Sequence, residues 1–132
     1  MKLVYLDNQS GTRTDDRVWD AMLPYLREEY GNAQSMHSLG ERAKDAVETA
    51  RTQVAGLIGA AGNEIYFTSC GSEANNLAIK GIAEANKQKG KHIVVSAIEH
   101  FSVLNAAKRL TQSGFEVTLV PVDKYGKVNT DE

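Results

Sequence analysis

Two short stretches of this chain bring together residue types suited to chemistry. The first is Thr68-Ser69-Cys70-Gly71-Ser72, small residues set between an apolar triplet, Ile65-Tyr66-Phe67, and a helical pattern. Gly71 lets the backbone come close to a ligand. Ser72 offers a helix N-cap or a hydroxyl donor. The N–H groups of a helix's first turn have no internal partners and lie at the positive end of its dipole. That combination suits a phosphate. Taken alone, a serine here is more often a cap than a ligand. The segment lacks the Gly-Lys-Ser/Thr ending of a Walker loop, and GxGxxG occurs nowhere in the chain. The second stretch is Glu99-His100, which follows a β-branched run. A histidine there suits ring stacking or proton transfer, and equally a loop cap. Cys70, within the first stretch and beside its anion-suited turn, would react readily with a lowered pKa. As a commonly buried residue type it reads first as packing. No HExxH or similar close spacing occurs, so no metal is expected.

These positions need elements to hold them. Residues 3–6 form a short apolar run, read as a strand, followed by a polar loop over residues 7–15. Asp15 or Asp16 suits the cap of a helix with Val18, Trp19, Met22 and Leu26 on one face. Pro24 is expected to kink or end it. Residues 31–38 read as a loop. Leu39, Ala43, Ala46, Val47, Ala50, Val54, Leu57 and Ile58 then form one stripe at a helical period, stopped by Gly59. Residues 65–67 read as a strand. Ala74, Leu77, Ala78, Ile82 and Ala85 mark a further helix, ended by Gly90. Residues 93–98 are nearly all apolar, as in a parallel strand covered on both faces. Val103, Leu104, Ala107 and Leu110 give another helix, ended by Gly114, and residues 115–120 another strand. This alternation predicts an α/β fold of β-α-β units on a parallel sheet. Ligands of such sheets gather at the carboxyl ends of the strands, where both stretches fall. Three core strands leave open edges, so the chain is expected to pair with something or belong to something longer.

Composition excludes several classes. The 132 residues are 42% hydrophobic and 24% charged, which argues for a folded chain. A net charge of −2 gives no basic excess for nucleic acid. No apolar run approaches the ~20 residues of a membrane helix, so no membrane partner is expected. The start of the chain lacks the long apolar stretch of a signal peptide. Cys70 is the single cysteine, so no internal disulfide forms, and a reducing, cytoplasmic setting is expected.

Together these segments resemble the amino-terminal portion of a cysteine desulfurase, of the class V pyridoxal-phosphate aminotransferase family. Tyr5-Leu6-Asp7-Asn8 resembles the family's opening. Tyr30-Gly31-Asn32-Ala33-Gln34-Ser35-Met36-His37-Ser38 resembles its FGNPSSxHS segment. IYFTSCGSEANNLAIKG, residues 65–81, resembles its IxFTSGxTExNNLAIKG block. KGKHIVVSAIEH, residues 89–100, resembles its GKHIxxSxxEH block, and Gly114-Phe115-Glu116-Val117 also matches.

The resemblance implies a partial three-layer, parallel-type sheet domain of the fold type I (aspartate aminotransferase-like) large domain. Residues 1–15 would be an amino-terminal segment associated with the active site, and 16–132 the first part of the cofactor-binding domain. It implies pyridoxal phosphate as cofactor. Gly71 and Ser72 would hold its phosphate, with Ser72 in place of the usual Thr, and His100 would stack on its ring as the catalytic position. The implied reaction converts L-cysteine to alanine and an enzyme persulfide, for iron-sulfur cluster assembly or other sulfur transfer. Implied partners are the missing carboxy-terminal portion, a second copy in a homodimer, and a sulfur-acceptor or scaffold protein. Two departures stand out. Cys70 replaces the family's usual Gly and would be strained if a positive φ were needed there. Residues 7–13, DNQSGTR, differ from the usual DNNATTP, on what is in the family the substrate side. The family's Schiff-base lysine lies in a Ser-His-Lys-type segment, and none of the nine lysines here sits in one. Its sulfur-accepting cysteine does not match Cys70. The 132-residue chain by itself is therefore expected to be inactive. The alternatives are a non-catalytic scaffold or binding half derived from such an enzyme, and a related class V aminotransferase or lyase.

Overall fold

The structure, a computed structural model, describes residues 3–128. The chain divides into two compact units between Tyr66 and Phe67.

The first unit is helical. Helix α1 spans Asp16–Arg27, and Asp15 caps it by accepting the Arg17 N–H. Asp16 in its first turn and Arg27 in its last complement the helix dipole. Pro24 is accommodated inside the helix, which ends three residues later as Glu28 and Glu29 both donate to the Pro24 carbonyl. The expected stripe of Val18, Trp19, Met22 and Leu26 forms but stays exposed. Helix α2 spans Ser38–Ile58, capped by His37 Nδ1, which accepts the Gly40 N–H at 3.3 Å. It ends at Gly59, whose φ of +69° needs no side-chain accommodation in glycine. A 3-10 turn, Gly62–Glu64, follows. Close backbone approach fixes the loop before α2. A Cβ on Gly40 would lie 2.1 Å from the Ser35 carbonyl oxygen, and one on Gly31 2.2 Å from that of Leu39.

The second unit carries the sheet. Helix α3 spans Gly71–Asn86, strand β1 His92–Ser96, helix α4 Phe101–Thr111 and strand β2 Glu116–Val120. β1 and β2 pair in parallel, from His92 with Glu116 to Ser96 with Val120. Helix α4 crosses between them and packs on both strands. Its Ala106, Ala107 and Leu110 form the core of this unit with Val95 and Phe115. Two alanines in a row let the helix lie close to the sheet. Gly114, at φ +82°, turns the chain from α4 into β2. Helix α3 packs on α4, leaving a hollow of about 360 Å³ lined by Ala78, Ile79, Ile82, Ile93 and Phe115.

The expected α/β class and parallel pairing are present. The sheet of the described residues has two strands rather than three. Residues 3–6 and 65–67 are not strands, because no neighbouring strand offers them a ladder. The Tyr5 hydroxyl instead donates to the Asp7 and Gly11 carbonyls, and Arg51 donates to that of Ile65. β1 is covered on one face only within its unit. Val95 is 8% exposed and Val94 60%.

Glycine substitutions in α2 test this packing with opposite signs. Gly40→Ala should destabilise the first unit by about 1–3 kcal/mol through overpacking. Gly56→Ala, where an added Cβ meets nothing within 4 Å, should stabilise it by about 0.5–1 kcal/mol. Urea unfolding followed by Trp19 fluorescence reads both. A neutral or stabilising Gly40→Ala would contradict the described loop.

Candidate functional site

The candidate residues in the second unit fall at two helix starts. Helix α3 begins two residues earlier than a Ser72 cap would require. Cys70 is its N-cap, and Gly71 and Ser72 open its first turn. This corrects the expected Ser72 cap and leaves the Ser72 side chain for other work. Its hydroxyl makes no protein hydrogen bond among the described residues, and both Gly71 and Ser72 are exposed. A Cβ on Gly71 would meet nothing within 4 Å, so open space faces this turn.

The loop before α3 is held by its own side chains. Glu73 accepts two hydrogen bonds on Oε2, from the Ser69 N–H at 2.6 Å and the Ser69 hydroxyl at 2.7 Å. Those bonds hold its carboxyl below the ordinary range. The Thr68 hydroxyl donates to the Cys70 carbonyl at 3.2 Å. Sequence reasoning passed over Glu73. The signal was an acid in the first turn of the helix, which here accepts from Ser69, the residue before the cap. With cysteine at the cap, that pattern was disguised.

Cys70 is neither strained nor packed away. Its φ of −166° is extended backbone open to any residue, so the positive φ that would have strained it is absent. Its side chain is exposed, against the packing role expected of it. The thiol makes no cap hydrogen bond. The Glu73 N–H still lies near enough to hold its pKa below the ordinary thiol value, helped by the Ser69 hydroxyl and the Ser72 N–H. Desolvation and the Glu73 carboxylate act in the opposite sense and are outweighed. The start of α3 therefore favours a negative charge, as its unpartnered N–H groups predict.

His100 is the N-cap of α4, just beyond the carboxyl end of β1, with Nδ1 accepting the Ser102 N–H at 3.1 Å. Its ring meets Phe101 edge-on at 6.5 Å between centroids. The two helix starts are tied together. Asn75 Nδ2 in α3 donates to Ser102 Oγ in α4 at 2.8 Å. Asn75 lies four residues past Gly71, about 6 Å along the helix axis. So the structure brings Gly71, Ser72 and His100 to one end of the α3–α4 pair. Asn75 and Ser102 were not legible in the sequence, since 27 positions separate them.

An anion-favouring turn with a glycine, an open hydroxyl and open space beside it fits a phosphate group. An imidazole at the neighbouring helix start fits a planar ring attached to it. Among the described residues no group of three or more His, Cys, Asp or Glu side chains could hold a metal ion. Nor is any helix long and apolar enough to cross a membrane.

Residues 4–132 match the aminotransferase class-V family model. The chain is 52% identical over 131 residues to the cysteine desulfurase IscS of Methanosarcina thermophila, covering 99% of this chain and 32% of the relative. Among solved structures, a NifS-like protein superposes with a TM-score of 0.86 at 41% identity, over 94% of this chain and 34% of that one. The cysteine desulfurase of Thermococcus onnurineus gives a TM-score of 0.81 at 32% identity, over 96% and 32%. The chain thus spans about a third of the length of the curated relatives it matches.

The lowered thiol pKa is open to a direct check. Alkylation of Cys70 should reach its half-maximal rate at a lower pH in the folded chain than in the same chain unfolded in urea, because only the thiolate reacts. Coincident pH midpoints would contradict the anion-favouring turn.

Proposed function

The chain belongs to the class V aminotransferase family, and from that premise we propose that it supplies the phosphate cup and ring-stacking histidine of a pyridoxal-phosphate-dependent cysteine desulfurase. The observation that carries this reading is the Asn75–Ser102 hydrogen bond, which sets the start of α3 beside His100. Gly71 and Ser72 would hold the cofactor phosphate, through their N–H groups and the Ser72 hydroxyl. His100 would lie against the cofactor ring. Pyridoxal phosphate, when bound, supplies a ring that draws electrons from the substrate amino acid. The chain's own part is to bind and orient, and to place one imidazole at the reacting end. The substrate would be L-cysteine, and the products alanine and sulfur carried as a persulfide on a cysteine other than Cys70.

The site needs more than this chain. Two or three charge-assisted hydrogen bonds contribute about 1.5–3 kcal/mol each. Lost translational and rotational freedom costs roughly 4–15 kcal/mol. The balance is near zero or unfavourable without a covalent link to a lysine. The covalent lysine and the sulfur-carrying cysteine would come from the remaining two-thirds of the enzyme. A homodimer in a reducing, cytoplasmic setting, delivering sulfur to an acceptor or scaffold protein, completes the proposal.

The denatured intact mass of everything that co-purifies with the chain tests it first. A companion polypeptide or a longer form should carry the lysine and cysteine, and that assembly should release sulfide from L-cysteine with pyridoxal phosphate. The 132-residue chain alone should release none. In the assembly, Ser72→Ala should weaken cofactor phosphate binding about tenfold to a hundredfold, the loss of one charge-assisted bond. Sulfide release by the lone chain would sink the proposal. So would an active assembly indifferent to both Ser72→Ala and His100→Ala.

A further inference from the structure

Three groups on α3 and α4 form one continuous hydrogen-bond chain. Asn75 Nδ2 donates to Ser102 Oγ at 2.8 Å, and Ser102 Oγ lies 2.8 Å from His100 Nδ1. The Ser102 backbone N–H donates to the same Nδ1 at 3.1 Å. The directions of these bonds follow from what each group can do. A backbone N–H only donates, so Nδ1 is an acceptor and carries no proton. In a neutral ring the proton then sits on Nε2. A side-chain NH₂ group also only donates, so Asn75 occupies a lone pair of Ser102 Oγ. The Ser102 hydroxyl proton is thereby directed at Nδ1.

We propose that Asn75 and Ser102 are positioning residues that hold His100 as the neutral, Nε2-protonated tautomer and fix its ring relative to the start of α3. The inference rests on the reading of His100 as the group that meets the cofactor ring, and it adds which edge is available. The Nδ1 edge is committed to the protein, and the Nε2–H edge is left to donate. The same hydrogen bonds that place the ring also choose its tautomer, so orientation and chemistry are set by one device.

Reversing the polarity of the relay tests this. Asn75→Asp keeps the shape of the side chain but can only accept. It turns the Ser102 hydroxyl proton toward α3 and leaves the oxygen facing Nδ1. Histidine ring tautomers are read from long-range ¹H–¹⁵N correlations in ring-labelled protein, at a pH where the ring is neutral. The unsubstituted protein and Ser102→Thr, which keeps the hydroxyl, should both show the Nε2–H pattern at His100. Asn75→Asp should keep the Nε2–H pattern, because the Ser102 N–H still donates to Nδ1, but should move the His100 Nδ1 resonance as the hydroxyl bond to it is lost, while His37 and His92 stay unchanged. An Nδ1–H pattern before substitution, or an unmoved Nδ1 resonance in Asn75→Asp, would overturn the proposal. Should Asn75→Asp lose its backbone amide dispersion, Ser102→Ala serves instead. It removes the hydroxyl bond and should move the Nδ1 resonance, and an unmoved resonance would likewise overturn the proposal. None of these readouts needs cofactor. If pyridoxal phosphate then fails to perturb His100 in the assembled protein, the functional reading falls while the tautomer assignment stands.

Discussion

Parallel strands cannot be joined by a tight turn, and the second unit is built around that constraint. β1 and β2 run the same way, so the chain must travel back along the sheet between them, and α4 does so. A crossover helix necessarily starts beyond the carboxyl end of the strand before it. This puts its unpartnered N–H groups at that end of the sheet. His100 occupies the first position after the turn and caps α4 with its own ring. Helix α3 packs on α4 with its own start held at the same end by Asn75. Two positive helix ends, a glycine, an open hydroxyl and an imidazole are gathered there as a consequence of topology.

The site depends on polar locks more than on burial. Its residues are exposed or half-buried within their unit, and the apolar core is confined to a few side chains between α4 and the sheet. Glu73 fixes the loop by holding both donors of Ser69. Ser102 fixes His100 through its amide and its hydroxyl, and Asn75 fixes Ser102. Each lock is short and local except the Asn75 link, which joins one helix to the next. Uncovered apolar faces, such as Val94 on the sheet and Trp19 on α1, mark where these units alone do not complete a core.

Much of this was legible in the sequence because it depends on local rules. The α2 stripe, its Gly59 stop and the Asp15 cap depend on helical period and capping chemistry, and they appear where the residues indicate. The carboxyl-end placement of His100 follows from strand–helix alternation. What failed was non-local. Residues 3–6 and 65–67 have strand composition, but a strand exists only beside a partner. Ser72 resembled a cap because serine usually is one, yet the helix starts two residues earlier at an extended Cys70. The Asn75–Ser102 contact spans two helices, and no spacing rule reports it.

The central claim is that the starts of α3 and α4 together form a cup for a phosphate and its attached ring. A structure of the assembled protein loaded with pyridoxal phosphate tests it most directly. The account predicts phosphate oxygens on the Gly71 and Ser72 N–H groups and the Ser72 hydroxyl, with the His100 ring stacked on the pyridine. A cofactor bound with its phosphate away from α3, or with His100 turned from its ring, would contradict it.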